Sequence, residues 1–146
     1  MTALAANKER RTRNYHLARK GKGTGADSST FYEGALCAHN NAGKIAVAAD
    51  TASFKIAGVV TKRVVTGASN TVEIEFEFGH EEWFPDDGNI AAASIGLDAT
   101  ILDDQTASVA ATTTNDIRMG RVIERETYKG QAGVWVQVGI YGTAAA

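Results

Sequence analysis

Residues 72–78 alternate without a break. Val72, Ile74, Phe76 and Phe78 fall on one side, and Glu73, Glu75 and Glu77 on the other. A period of two predicts a strand with one buried and one solvated face. Val134, Val136, Val138 and Ile140 repeat the alternation near the C-terminus, predicting a strand over 134–141. Shorter runs rich in β-branched residues predict strands at 35–38, 45–48, 97–102, 107–111 and 117–124, and one or two over 56–66. Asn40-Asn41-Ala42-Gly43 predicts a tight turn between the first two of these. Many short strands separated by turn signals predict a mainly β fold, a compact β-barrel or β-sandwich.

The strands recur in order. With no gap, segment 34–78 falls on segment 96–140, an offset of 62 residues. Gly34, Val47, Ala48, Ala49, Thr51, Gly58, Val60, Arg63 and Val72 each meet the same residue type. The strand registers coincide as well, which is informative because a one-residue slip would turn every side chain to the other face. An internal two-fold repeat closing around one core is therefore expected, with 1–30 and 79–95 outside it. In this alignment Glu73, Glu75 and Glu77 meet Trp135, Gln137 and Gly139, so one outer face is acidic and the other is not.

Charge divides the chain differently. Its net charge of −2 combines about +6 over residues 1–22 with about −8 over the rest. Residues 1–30 read as a flexible basic arm, with a Gly/Ser-rich tether over 21–29 and a short partner-bound helix within 4–20. Residues 31–146 read as the folded domain. A single cysteine, Cys37, rules out an internal disulfide and suits a reducing compartment. No apolar run approaches a membrane span, and the N-terminus lacks the apolar core of a secretory signal.

Motifs for chemistry are sparse. Gly21-Lys22-Gly23-Thr24 lacks the consecutive Gly-Lys-Ser/Thr of a phosphate loop. Cys37 and His39 have no second ligand pair, and His80-Glu81-Glu82 lacks a second histidine. Asp86-Asp87 and Asp103-Asp104 are read as turn residues, with a divalent ion as the alternative. No Gly-x-Ser-x-Gly elbow is present, and a dispersed hydrolase site is the enzyme-class alternative. No catalytic, cofactor-binding or metal-binding residue is assigned, and the expectation is a protein that is not an enzyme. Contact residues are expected among Lys8, Arg10, Arg11, Arg13, Tyr15, Arg19, Lys20 and Lys22 of the arm. Glu73, Glu75 and Glu77 are expected to receive a cationic strand or arm, for example from a neighbouring copy. Trp83-Phe84 is read as a plug over one barrel end, with an exposed anchor as the alternative. Nucleic-acid contact through residues 8–22 is the competing reading of the arm.

Phe31-Tyr32-Glu33-Gly34-Ala35-Leu36, Ala48-Ala49-Asp50-Thr51 and Ala57-Gly58-Val59-Val60 resemble the front half of the capsid-decoration (head cement) proteins of tailed phages. Residues 95–100, 103–106 and 117–124, followed by Val134-Trp135-Val136, resemble the rear half. The resemblance spans roughly 31–140 and rests on the order of short motifs. It implies a β-barrel or β-sandwich on the outer surface of a phage capsid, in the virion, assembled in the host cytoplasm. It implies trimers at local three-fold positions, major capsid subunits and copies of itself as partners, and no catalysis. The longer basic arm and the stretch 81–87 depart from the family pattern.

Overall fold

A computed structural model describes residues 3–142 and 144–146. Met1 and Thr2 of the expected arm, and Thr143 of the expected domain, lie outside the described residues. Among the described residues thirteen strands follow in chain order. They are β1 (Thr12–Arg13), β2 (Arg19–Thr24), β3 (Thr30–Phe31), β4 (Leu36–His39), β5 (Ile45–Val47), β6 (Lys55–Val60) and β7 (Val64–Val65). The series continues with β8 (Glu73–Phe78), β9 (Glu81–Pro85), β10 (Asp98–Ile101), β11 (Ala107–Ser108), β12 (Arg118–Arg125) and β13 (Gly133–Val138). Short 3₁₀ turns occupy Tyr15–Leu17 and Ala92–Ser94, and the described residues contain no α-helix. The helix expected within 4–20 is thus reduced to one turn, because Gly21 and Gly23 follow an arginine-rich segment with too few apolar residues to bury a helical face.

The strands form three antiparallel sheets, in the orders β1-β9-β13-β12-β10-β11, β2-β8-β6-β4-β5 and β3-β7. The two large sheets share an apolar core, giving a sandwich-like body. Leu36, Ala38, Ile56 and Val59 of the five-stranded sheet pack with Phe84, Ile101, Met119, Val122 and Val134 of the six-stranded one. A second core lies within the five-stranded sheet and beneath β3–β7, from Phe31, Cys37, Ile45, Val60, Ile74 and Phe76. Each fully buried side chain of this size stabilises the fold by about 1.5–3 kcal/mol.

Strand pairing repeats with the spacing read from the sequence. In β4–β6, Leu36 faces Val59, Cys37 faces Gly58 and Ala38 faces Ile56. In β10–β12, Asp98 faces Arg121, Ala99 faces Gly120 and Thr100 faces Arg118, all displaced by 62. Even the register shift recurs, after Cys37 in one pair and after Ala99 in the other. Ala38–Ala46 and Thr100–Ser108 extend the match to β5 and β11.

The repeated pairing reaches further than 34–78 and 96–140. β2 lies on β8 as β9 lies on β13: Gly21 faces Phe76, and Glu82 faces Val136. Just past each of these outer strands, a parallel bridge reaches the fifth strand, Gly25 to Ile45 and Asp86 to Ala107. The expectation that 1–30 and 79–95 have no counterparts is therefore corrected: 19–25 and 80–86 are counterparts, displaced by 61. The fourth strands also differ from the sequence alignment. Val59 faces Glu77 and Arg121 faces Gln137, so β8 and β13 correspond at a displacement of 60. Glu73, Glu75 and Glu77 then match Gly133, Trp135 and Gln137.

These single bridges leave the sheets open. Each five-strand unit curls until its outer strands touch at one end, and no closed barrel forms. Loops are fixed by their own side chains. Asn40 Oδ1 accepts the Ala42 and Lys44 N–H groups, both at 2.9 Å, and Gly43 takes φ +75°.

Candidate functional site: the N-terminal strap and the free edge of β2

The basic N-terminal segment is folded onto the body. β1 pairs with β9, and all six residues of β2 pair with β8. This corrects the flexible arm and tether: the carboxylates that neutralise the segment lie on the chain itself. Arg10 donates through Nη1 to Glu77 Oε1 at 3.0 Å, and through Nη2 and Nε to Glu82 Oε1 at 2.8 and 3.1 Å. Glu77 belongs to the five-stranded sheet and Glu82 to the six-stranded one, so a single guanidinium ties the two layers together. Tyr15 donates to Glu77 Oε2, and His80 Nε2 lies 3.0 Å from Glu82 Oε1. Burial alone would raise the Glu77 pKa; hydrogen bonds from Tyr15 and Arg10 outweigh it and hold it below the usual value.

Neighbouring arginines are also engaged within the chain. Arg13 donates to Glu81 at 2.7 Å and to Glu124 at 2.8 Å, and lies 4.3 Å from the Trp135 ring centroid. Arg11 donates to Glu126 at 3.2 Å and stacks 3.7 Å from the Tyr128 centroid. Lys8 Nζ is buried with no hydrogen-bond partner, 4.4 Å from the Phe84 centroid. Burial lowers its pKa to about 8, against attraction from Glu82 and Asp104. Burial likewise raises Asp104 to about 6, although its carboxylate accepts the Leu4 N–H at 2.9 Å.

Several expected contact residues are thereby withdrawn from the surface. Glu77 is buried rather than part of a solvated row, because the N-terminal segment crosses it. Trp83 and Phe84 are buried as well, in β9, where Trp83 Nε1 donates to the Glu126 carbonyl. They are strand residues of the body, paired with Trp135 and Val134, which corrects both the plug over a barrel end and the exposed anchor. Lys8, Arg10, Arg11 and Arg13 serve the strap. The sequence reading missed its acceptors, Glu81, Glu82, Glu124 and Glu126. The signal was the opposite charge of arm and body, which was read as a cue to outside partners although the two could neutralise each other.

The expected residues that stay exposed are Arg19, Lys20 and Lys22 on β2, Glu73 and Glu75 on β8, and Tyr15. Lys22 stands 3.6 Å from Glu73, and Lys62 3.6 Å from Glu75, in open ion pairs. β2 is the edge of its sheet. Beside it lies a cleft of about 400 Å³ whose lining includes Lys20, Lys22, His39, Phe76, Phe78 and Tyr141. Leu17, Tyr15, Ile140 and Tyr141 are exposed apolar side chains. They gather at this end, since the Leu17 carbonyl abuts Gly79 and the Gly79 N–H donates to Val138.

The residues weighed for metal or thiol chemistry have structural partners. Cys37 is fully buried, which pushes its thiol up to about 12, and His39 is exposed, so the two are not brought together as ligands. Asp86, Asp87 and Asp103 each accept a backbone N–H two residues ahead. Among the described residues no group of three His, Cys, Asp or Glu side chains is arranged to hold a metal. No family model matches the chain, and no curated protein is significantly similar to it.

Proposed function

We propose that this chain is a structural virion protein that decorates the outer surface of a phage capsid and bridges major capsid subunits. Supporting this reading is the order of short motifs over 31–140 that resembles the head cement proteins. The observation that carries it in the structure is the end of the molecule around β2. There an open cationic strand edge, an apolar cleft and exposed Tyr15, Leu17, Ile140 and Tyr141 form a surface suited to protein contact.

A cement protein also needs a body that transmits load between subunits. The strap supports this reading, because Arg10 joins the two layers and β1 pairs along β9 at the edge of the six-stranded sheet. A modest affinity per copy suffices on a repeating shell, and clustering as trimers at local three-fold positions multiplies it. The basic segment that suggested nucleic acid is instead partnered by Glu77, Glu81, Glu82, Glu124 and Glu126.

Purified protein added to empty expanded heads of the phage or prophage that encodes it should co-sediment and saturate at a fixed ratio to the major capsid subunit. Absence of saturable co-sedimentation would overturn the proposal.

A further inference from the structure

The structure assigns the free edge of β2 as a docking site for an extended acidic segment of a partner protein, which adds to the five-stranded sheet as an antiparallel strand. Strand geometry and charge carry the assignment, whichever assembly the partner belongs to.

The chain shows at one edge what the other edge lacks. β9 is the counterpart of β2, and its outer side is covered by β1. The Trp83 N–H donates to the Arg11 carbonyl at 3.0 Å. Lys22 occupies the place of Trp83, since Lys22 faces Glu75 in one sheet and Trp83 faces Trp135 in the other. In an antiparallel pair alternate residues point their N–H and C=O groups away from the partner. Gly25 N–H bonds Val72 of the neighbouring strand, whereas Ala26 N–H bonds Ile45 on the opposite side. Counting back by twos, Thr24, Lys22 and Lys20 direct their backbone groups to that outer side. Thr24 adjoins the Gly25–Ile45 bridge to β5, whereas among the described residues no strand pairs with the outer side of β2 at Lys20 and Lys22.

Charge selects the occupant. On β9 the edge is acidic, with Glu81 and Glu82, and the added segment is cationic, with Arg10, Arg11 and Arg13. On β2 the signs reverse, with Lys20 and Lys22 exposed on one face, Lys22 in an open pair with Glu73, and Arg19 exposed on the other. A segment that repeats the pairing here must carry carboxylates on the face shared with Lys20 and Lys22.

The other face selects too. Gly21 stands where β9 has Glu82, the residue that receives Arg10. A Cβ at Gly21 would lie 2.5 Å from the Phe76 ring, so the aromatic ring lies against the bare backbone. The cleft beside it is lined by Phe76, Phe78, His39 and Tyr141 among others. Alternate positions of the incoming segment must therefore be apolar. Acidic on one face and apolar on the other is a strand pattern, and main-chain bonds to an exposed edge are an established mode of peptide capture.

The test uses the full-length protein and a capped octapeptide of alternating Glu and Val, with an alternating Lys and Val octapeptide as control. Amide exchange followed by NMR should show the Lys20 and Lys22 N–H groups unprotected in the free protein. Saturating Glu/Val peptide should slow them by roughly tenfold or more, as expected for newly formed ladder bonds, while the Lys/Val peptide leaves them unchanged. The double variant Lys20→Glu/Lys22→Glu, at exposed positions and with unchanged thermal unfolding, should lose the response to Glu/Val and gain one to Lys/Val. Failure of millimolar Glu/Val peptide to protect either amide would overturn the assignment. Protection that appears without peptide and grows with protein concentration would also overturn it, giving the edge to a second copy. Neither result bears on capsid co-sedimentation, so the two proposals fail separately.

Discussion

Gly58 and Gly120 hold the same place in the two five-strand units. Each faces its counterpart partner, Cys37 or Ala99, and each presses its backbone on a carbonyl of the next strand, that of Glu77 or Gln137. A Cβ at either position would collide with that carbonyl. Gly120 in addition has φ +149°, which L side chains rarely adopt. Gly58→Ala and Gly120→Ala should each lower unfolding stability by about 2–4 kcal/mol, read by urea titration. Gly43→Ala, which meets no atom within 4 Å, should pay only for its positive φ of +75° and lose about 1 kcal/mol.

Arg10 is the ionic link whose loss costs most. Glu82 is fully buried and Glu77 nearly so, and both accept from the same guanidinium. Arg10→Ala leaves two buried carboxylates without their partner and should destabilise by about 3–5 kcal/mol. Lys22→Ala, which breaks only an exposed pair at 3.6 Å, should change stability by less than about 1 kcal/mol. Chemical denaturation of the two variants side by side checks the contrast.

Lys8 gives a prediction of opposite sign. Its ammonium is buried without a hydrogen-bond partner, so Lys8→Met keeps the packing on Phe84 and removes a desolvated charge. The variant should be more stable than the parent at pH 7, by about 1 kcal/mol or more in urea. The folded pKa, about 8, lies below the ordinary lysine value of 10.5, so between these values the unfolded chain binds more protons. Stability relative to Lys8→Met should therefore rise with pH across that window, by the linkage relation. A difference that stays flat from pH 8 to 10.5 would contradict the buried placement.

Asp104 should produce a slope on the acid side. Its folded pKa of about 6 exceeds the ordinary aspartate value of 3.8, so the folded state binds more protons between them. Stability relative to Asp104→Asn should fall as pH rises from about 4 to 6 and level off above. Thermal unfolding of both proteins over that range reads the slope.

The legibility of this fold follows from what alternation encodes. β4, β5, β6 and their counterparts were readable because the displacement of 62 preserves both residue type and strand parity. The fourth strands, β8 and β13, match at 60, and hydrophobic alternation cannot detect a slip of two. β2 and β9 were invisible as a pair because they share no residues. Gly23 packs on Ile45 in one unit, while Phe84 and Ala107 share the core of the other. Large and small have exchanged places across the strands, preserving volume and erasing similarity. At the candidate site, Arg19, Lys20 and Lys22 were recognised as basic contact residues. Their position on an open strand edge was hidden by the glycines between them, which read as a tether.

Reconstruction of phage capsids assembled with and without this protein tests the proposed capsid-decoration role most directly. The account predicts added density at regular positions on the outer surface, seated between major capsid subunits, with the β2 end of the body against the shell. Density inside the shell, or no difference between the two reconstructions, would contradict it.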